Sequence, residues 1–176
     1  MNIPKYHKAI TAALDAYRIR LDDIPDEQFM ETPPGGGWSY AEVYAHILQS
    51  DLGSTIAMER CINGTCEPTS KGLNFIGRLV MAMGRMPLVK IKPRDAKAAV
   101  QNVNKISKED ARNLLVKCHK RVDDIVVKLG SSISQMRYPH PRFGTLNAWQ
   151  WLKFILIHTK HHFKQLNRIE KKFLRA

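Results

Sequence analysis

Among the seven histidines of this sequence, two have a spacing that could do chemistry. His158 and His162 are four residues apart, so on a helix they project from one side and can reach a single ion. Trp151, Ile155, His158, His162, Leu166, Ile169 and Phe173 recur every three or four residues, which sets both imidazoles in an otherwise apolar, core-facing stripe. Burying such a ring without a partner costs roughly 1–3 kcal/mol. A metal ion would satisfy the pair, and so would hydrogen bonds to neighbouring side chains. His46 lies between Val43 and Ile47, at the border of another apolar stripe. Facing helices of a bundle can bring mid-helix side chains together around an ion. Were His46 to join the pair, three neutral imidazoles with a fourth position open would resemble a catalytic rather than a closed structural site. Water in that position is acidified into a nucleophile, and a thiol binds there as thiolate.

The remaining histidines and the cysteines carry less. His7 and His119 fall off or beside the apolar stripes and are expected at the solvated surface. His161 should point away from His162, to solvent. Cys61, Cys66 and Cys118 are an odd number without a secretion signal, which argues against a disulfide framework. The spacing of Cys61 and Cys66 falls in the range of zinc ligands, but no second pair lies nearby to complete a knuckle.

The elements that must position these residues are helical. A first helix is expected from about Pro4 to Asp22, with a stripe of Ile10, Ala13, Leu14, Tyr17 and Leu21. Thr32-Pro-Pro-Gly-Gly-Gly-Trp38 cannot continue a helix and reads as a loop. Ser39-Tyr-Ala-Glu42 is a capping box that starts a second helix running to about Arg60. A short helix from Leu73 to Arg85 fits the next stretch, which Pro87 and Pro93 bound. The third helix starts at Ser107-Lys-Glu-Asp110, carries Leu114, Leu115, Cys118, Val122, Ile125, Val126 and Leu129, and should stop at Gly130. The fourth runs from about Asn147 to Leu174, with Asn147 and Gln150 able to cap it. No strand-like alternation is evident. The expectation is one all-α domain over residues 1–176: a four-helix bundle with a long crossover, containing a short extra helix, between helices 2 and 3. A connection of that length can cross the bundle from end to end, leaving helices 2 and 3 parallel.

Three stretches resemble a known family. Gly36-Gly-Trp-Ser-Tyr-Ala-Glu-Val-Tyr-Ala-His46 resembles the start of helix 2 in the DinB-like (YfiT-like) superfamily of metalloenzymes. His140-Pro-Arg-Phe-Gly144, Asn147-Ala-Trp-Gln-Trp-Leu152 and His158-Thr-Lys-His-His162-Phe-Lys-Gln165 look like its last third. The resemblance implies an up-down-down-up bundle, a divalent metal, commonly zinc or nickel, and room for a homodimer. It implies His46, His158 and His162 as the metal ligands. Gln165, one turn past His162, is read as packing, and His140 is left without a role. Related proteins include transferases and isomerases that use low-molecular-weight thiols such as bacillithiol, mycothiol or glutathione, as well as metal-dependent hydrolases. Fold alone does not choose among these.

Composition narrows the alternatives. A net charge of +12 raises nucleic acid as a partner. Basic residues cluster between Arg78 and Lys97 and in the last helix, but no nucleic-acid-binding motif is present, and lysine and arginine suit a helix C-terminus. Nucleic acid is therefore the weaker reading. A metal-dependent thiol transferase leads, with a non-catalytic metal-binding or stress-related bundle as the alternative, and exposed apolar residues in 73–84 as a dimer face. No apolar run reaches the roughly 18–20 residues of a membrane span, and Met1 to Asp15 lack a hydrophobic signal region, so the expected location is the cytoplasm.

Overall fold

The computed structural model describes residues 2–67, 69–86, 103–131 and 136–175. Long helices dominate it: α1 (Ile3–Asp23), α3 (Tyr40–Ile62), α5 (Lys108–Lys128) and α6 (Ala148–Phe173). The short helices α2 (Asp26–Phe29) and α4 (Phe75–Met83) and a hairpin of β1 (Tyr138–His140) and β2 (Gly144–Leu146) complete the elements. Each long helix begins where a side chain satisfies the free amides of its first turn. Asn2 accepts from the Lys5 amide at α1. Full capping boxes form at Ser39/Glu42, Ser107/Asp110 and Asn147/Gln150.

Side-chain contacts fix the directions of these helices. Moving along α3 from Tyr40 through Asp51 to Cys61, the partners on α6 and its leading strand run backwards, from Phe173 through Thr159 to Leu146, so α3 and α6 are antiparallel. His7, Asp15 and Asp22 of α1 meet Asp123, His119 and Arg112 of α5 in reverse order. Tyr17 and Arg20 meet Thr159 and Glu170 in the same order, so α1 and α6 are parallel. Leu48 and Glu59 of α3 meet Cys118 and Arg121 of α5, also in parallel. The four-helix bundle is up-down-down-up, with helices 2 and 3 parallel as the long crossover predicts.

The core is the predicted set of stripes: Ile10, Leu14, Tyr17 and Leu21 from α1, Val43, Ile47 and Leu48 from α3, Leu115, Cys118, Val122 and Ile125 from α5, and Trp151, Ile155, Leu166 and Ile169 from α6. Tyr44 donates its hydroxyl proton to the Tyr17 carbonyl, and Tyr17 donates to the Thr159 carbonyl, which ties three helices through two buried phenols.

Differences from expectation lie between the helices. The hairpin pairs Tyr138 with Leu146 and His140 with Gly144, a region read as a loop without strand character. Each strand is three residues long, too short for alternation to register. The hairpin also clasps the start of α4: Asn74 donates its amide to the Phe143 carbonyl, and Thr145 donates to the Gly72 carbonyl. Gly144 has φ +83°, and a Cβ there would lie 2.5 Å from the Gly72 oxygen, so only glycine fits. Gly130 is not the predicted left-handed stop. Its φ is not positive, and α5 instead tightens into a 3-10 turn over Leu129–Ser131. The short crossover helix is present, capped by Asn74 and ended by Gly84 in the left-handed conformation. Phe75, Ile76, Leu79 and Met83 are exposed on it. Pro87, Pro93 and the basic residues Lys90, Lys92, Arg94 and Lys97 lie outside the described residues.

Candidate metal centre

The capping box at Ser39 sets the start of α3, and His46 follows two turns in, facing α6. The antiparallel pairing of α3 with α6 brings His46 level with His158 and His162. His46 Nε2 lies 3.3 Å from His158 Nε2, which lies 3.0 Å from His162 Nε2. One ring nitrogen from each histidine falls within 4.8 Å of the others, and no Cys, Asp or Glu joins them among the described residues. Tetrahedral zinc–imidazole bonds place ligand nitrogens about 3.3 Å apart. The donor set and its spacing therefore fit a divalent ion.

The environment keeps these nitrogens unprotonated. His158 and His162 are 7 % and 8 % exposed, and His46 is half-buried. Burial, reinforced by the neighbouring rings, holds His158 well below the usual imidazole range and His162 down to about 3. Burial likewise lowers His46. At neutral pH all three rings are neutral and can offer a lone pair.

Second contacts orient the rings. His162 Nδ1 lies 2.8 Å from Gln165 Oε1, which as an acceptor fixes the proton on Nδ1 and turns the Nε2 lone pair to the cluster. Gln165 is thus a partner of the site rather than the packing residue the sequence suggests. Trp38, from the glycine-rich loop, stands edge-on to His46 with ring centroids at 5.1 Å and parallel to His162 at 6.4 Å. Phe154 stacks on His158 at 4.9 Å. On the far side of Phe154, His140 stacks on Phe143 at 4.3 Å, and its Nδ1 accepts from the Arg142 amide. Burial, then the nearby Arg142 guanidinium, pushes His140 down to about 4. It packs the aromatic wall behind the cluster.

Asp51 was not singled out by sequence reasoning. It lies on α3 beyond His46 and is 1 % exposed. Its Oδ2 is 3.0 Å from the Thr159 hydroxyl, and its Oδ1 is 4.0 Å from His158 Nδ1. Burial holds its carboxyl well above the ordinary range, with the Thr159 hydrogen bond opposing. One signal could have found it: the helical stripe through Ile47 continues every four residues to Asp51 and Thr55, and on to Met58.

The other candidates are placed elsewhere. His7 Nε2 is 2.6 Å from Asp123, and His119 Nε2 is 3.5 Å from Asp15, so both are partly exposed partners of surface carboxylates. His161 is half-buried rather than fully solvated, its ring 5.0 Å from that of His162. Cys61 donates to the Leu146 carbonyl, and burial pushes its thiol up to about 12. Cys118 donates to the Leu48 carbonyl from inside the core. Neither shows the character of a metal thiolate.

Comparison with known proteins places this site in context. Residues 9–166 match the DinB superfamily. The uncharacterised protein YuaE of Bacillus subtilis (strain 168) is 22% identical over 169 residues, 89% of this chain and 91% of YuaE. Among solved structures, TT2238, a four-helix bundle protein, superposes with a TM-score of 0.61 at 19% identity, over 95% of this chain and 99% of that one. YfiT from Bacillus subtilis superposes with a TM-score of 0.62 at 16% identity, over 96% of this chain and 86% of its own. YfiT is described as a probable metal-dependent hydrolase with an unusual four-helix bundle topology. At these identities the structural likeness is one of fold.

Proposed function

The chain belongs to the DinB superfamily, and on that footing we propose that it is a divalent-metal-dependent enzyme that activates a small thiol for transfer to an electrophile. His46, His158 and His162 are the proposed ligands, and zinc or nickel the proposed ion. The convergence of three Nε2 atoms at ligand spacing carries this reading.

A divalent ion held there would supply Lewis acidity, lowering the pKa of a thiol in the position the three imidazoles leave free. The chain's own residues do the rest. Burial keeps the ligand nitrogens free of protons, and Gln165 holds the His162 tautomer. Trp38 covers two of the rings and restricts water. Arg168 and Lys164, whose charges are felt at His161, make the surroundings attractive to an anion. No side-chain carboxylate joins the three rings among the described residues to serve as a general base. That favours a nucleophile that sheds its proton readily, as a thiol of pKa about 8.5 does. Hydrolysis by water in the same position is the second reading, and the fold shared with YfiT favours it.

Elemental analysis of freshly purified protein tests the premise. Near-stoichiometric zinc or nickel is expected, and its loss in His46→Ala. A parent protein that carries no metal and binds zinc or nickel no better than that variant would sink the proposal. With metal present, thiol consumption is then measured with glutathione, bacillithiol and mycothiol against a fluorogenic electrophile, beside ester and amide hydrolysis without thiol. Thiol-dependent turnover supports the first reading. Turnover without thiol selects the second, and no turnover by metal-loaded protein selects a non-catalytic bundle.

A further inference from the structure

Two buried polar atoms behind the histidine cluster have no hydrogen-bond partner, and they face each other. One is His158 Nδ1 and the other Asp51 Oδ1, 4.0 Å apart. The opposite nitrogen of the same ring, His158 Nε2, is the one that meets His46 and His162. The remaining oxygen of Asp51 is anchored 3.0 Å from the Thr159 hydroxyl, itself next to His158 on α6. The only ionic neighbour of this 1 %-exposed carboxylate among the described residues is His158.

We propose that Asp51 is a positioning residue for the metal ligand His158. The inference rests on the metal reading above. With Nε2 committed to an ion, the ring's proton must sit on Nδ1. A shift of roughly 1 Å closes the gap to hydrogen-bond length, and Nδ1–H then donates to Asp51 Oδ1. Both orphaned atoms are satisfied by one bond. The divalent charge, reached through the imidazole, is the counter-charge that the buried carboxylate otherwise lacks. A carboxylate behind a metal-bound histidine fixes its tautomer and ring orientation and strengthens it as a ligand. Asp51 therefore acts on the ion through His158, as Gln165 does through His162. The two ligands from α6 are held by two different acceptors, one charged and buried, one neutral and nearer the surface.

The test compares zinc affinity, by chelator competition, in the parent, Asp51→Asn and His46→Ala. Asn keeps the size and the hydrogen bond to Thr159 but removes the charge. The expected loss in Asp51→Asn is about 10–100-fold, with the helical circular dichroism of the metal-free protein retained. A purely structural Asp51 would lower the stability of metal-free protein and leave zinc affinity as in the parent. That outcome, with binding abolished in His46→Ala, overturns the role of Asp51 and leaves the metal site standing. Parent-like binding in His46→Ala overturns both. Should Asp51→Asn fail to fold, nitrogen-correlated NMR of the zinc-loaded parent decides instead. A protected Nδ1–H proton on His158 is expected, and a ring without a proton on Nδ1 refutes the assignment.

Discussion

Gln165 is the residue whose role changed most between sequence and structure. Its oxygen accepts from His162 Nδ1, so Gln165→Leu should weaken zinc binding by about tenfold, while the fold is retained. Competition with a metallochromic chelator measures it, and an unchanged affinity would return Gln165 to packing. His140 offers a second test, independent of metal ligation. Its folded pKa of about 4 lies below the ordinary value of 6.5, so between those values the unfolded chain takes up a proton that the folded chain refuses. Stability is therefore lost as pH falls from about 6.5 to about 4. His140→Phe keeps an aromatic ring on Phe143 but cannot titrate, so its melting temperature should fall less steeply over that window. Equal slopes in thermal melts of the two proteins would count against the burial of His140. The three clustered histidines were legible because their spacing and apolar neighbours conflict with ordinary surface positions. Gln165 and Asp51 were not, because a single amide or carboxylate on a helix is usually solvated. Only its partner across the bundle shows otherwise.

The helices were written plainly, because each begins with a side chain that can cap it. Removing one such cap, by Ser39→Ala, should cost about 1 kcal/mol and lower the melting temperature by about 2–4 °C. Calorimetry against the parent checks it. The hairpin was hidden for the opposite reason. It depends on Gly144 approaching the backbone of Gly72 and Asn74, a contact between segments far apart in sequence. Gly144→Ala should destabilise the protein by more than about 1 kcal/mol, since alanine disfavours positive φ and its Cβ has nowhere to go. Its metal affinity should stay near that of the parent, because no ligand sits on the hairpin. If Gly144→Ala melts with the parent, the clasp between hairpin and α4 contributes little.

Across the whole molecule, the direction of the helices follows from the long crossover, and the direction decides which histidines meet. A bundle with helices 2 and 3 antiparallel would need only a short turn there. Part of the positive charge serves the fold: Arg20 pairs with Glu170, Arg121 with Glu59, and Lys172 donates to the Gly36 carbonyl beside Trp38. No helix among the described residues is long and apolar enough to cross a membrane. The proposed ligands lie on both α3 and α6, so an ion should stabilise the bundle as a unit. At a free concentration one hundred times its dissociation constant, the gain is about 2.7 kcal/mol, or roughly 5–10 °C in melting temperature. Adding zinc to metal-free protein should produce this rise, EDTA should reverse it, and His46→Ala should show neither. The contact between His46 and His158 spans 112 residues of chain. An ion gripping both ends would behave as a removable cross-link closing most of the polypeptide into a ring, with the entropic leverage of a long-range disulfide. During synthesis that ring cannot close until His158 and His162 have emerged. Metal capture would then be among the last events in the life of a nascent chain, and metal scarcity would be felt first as incomplete maturation.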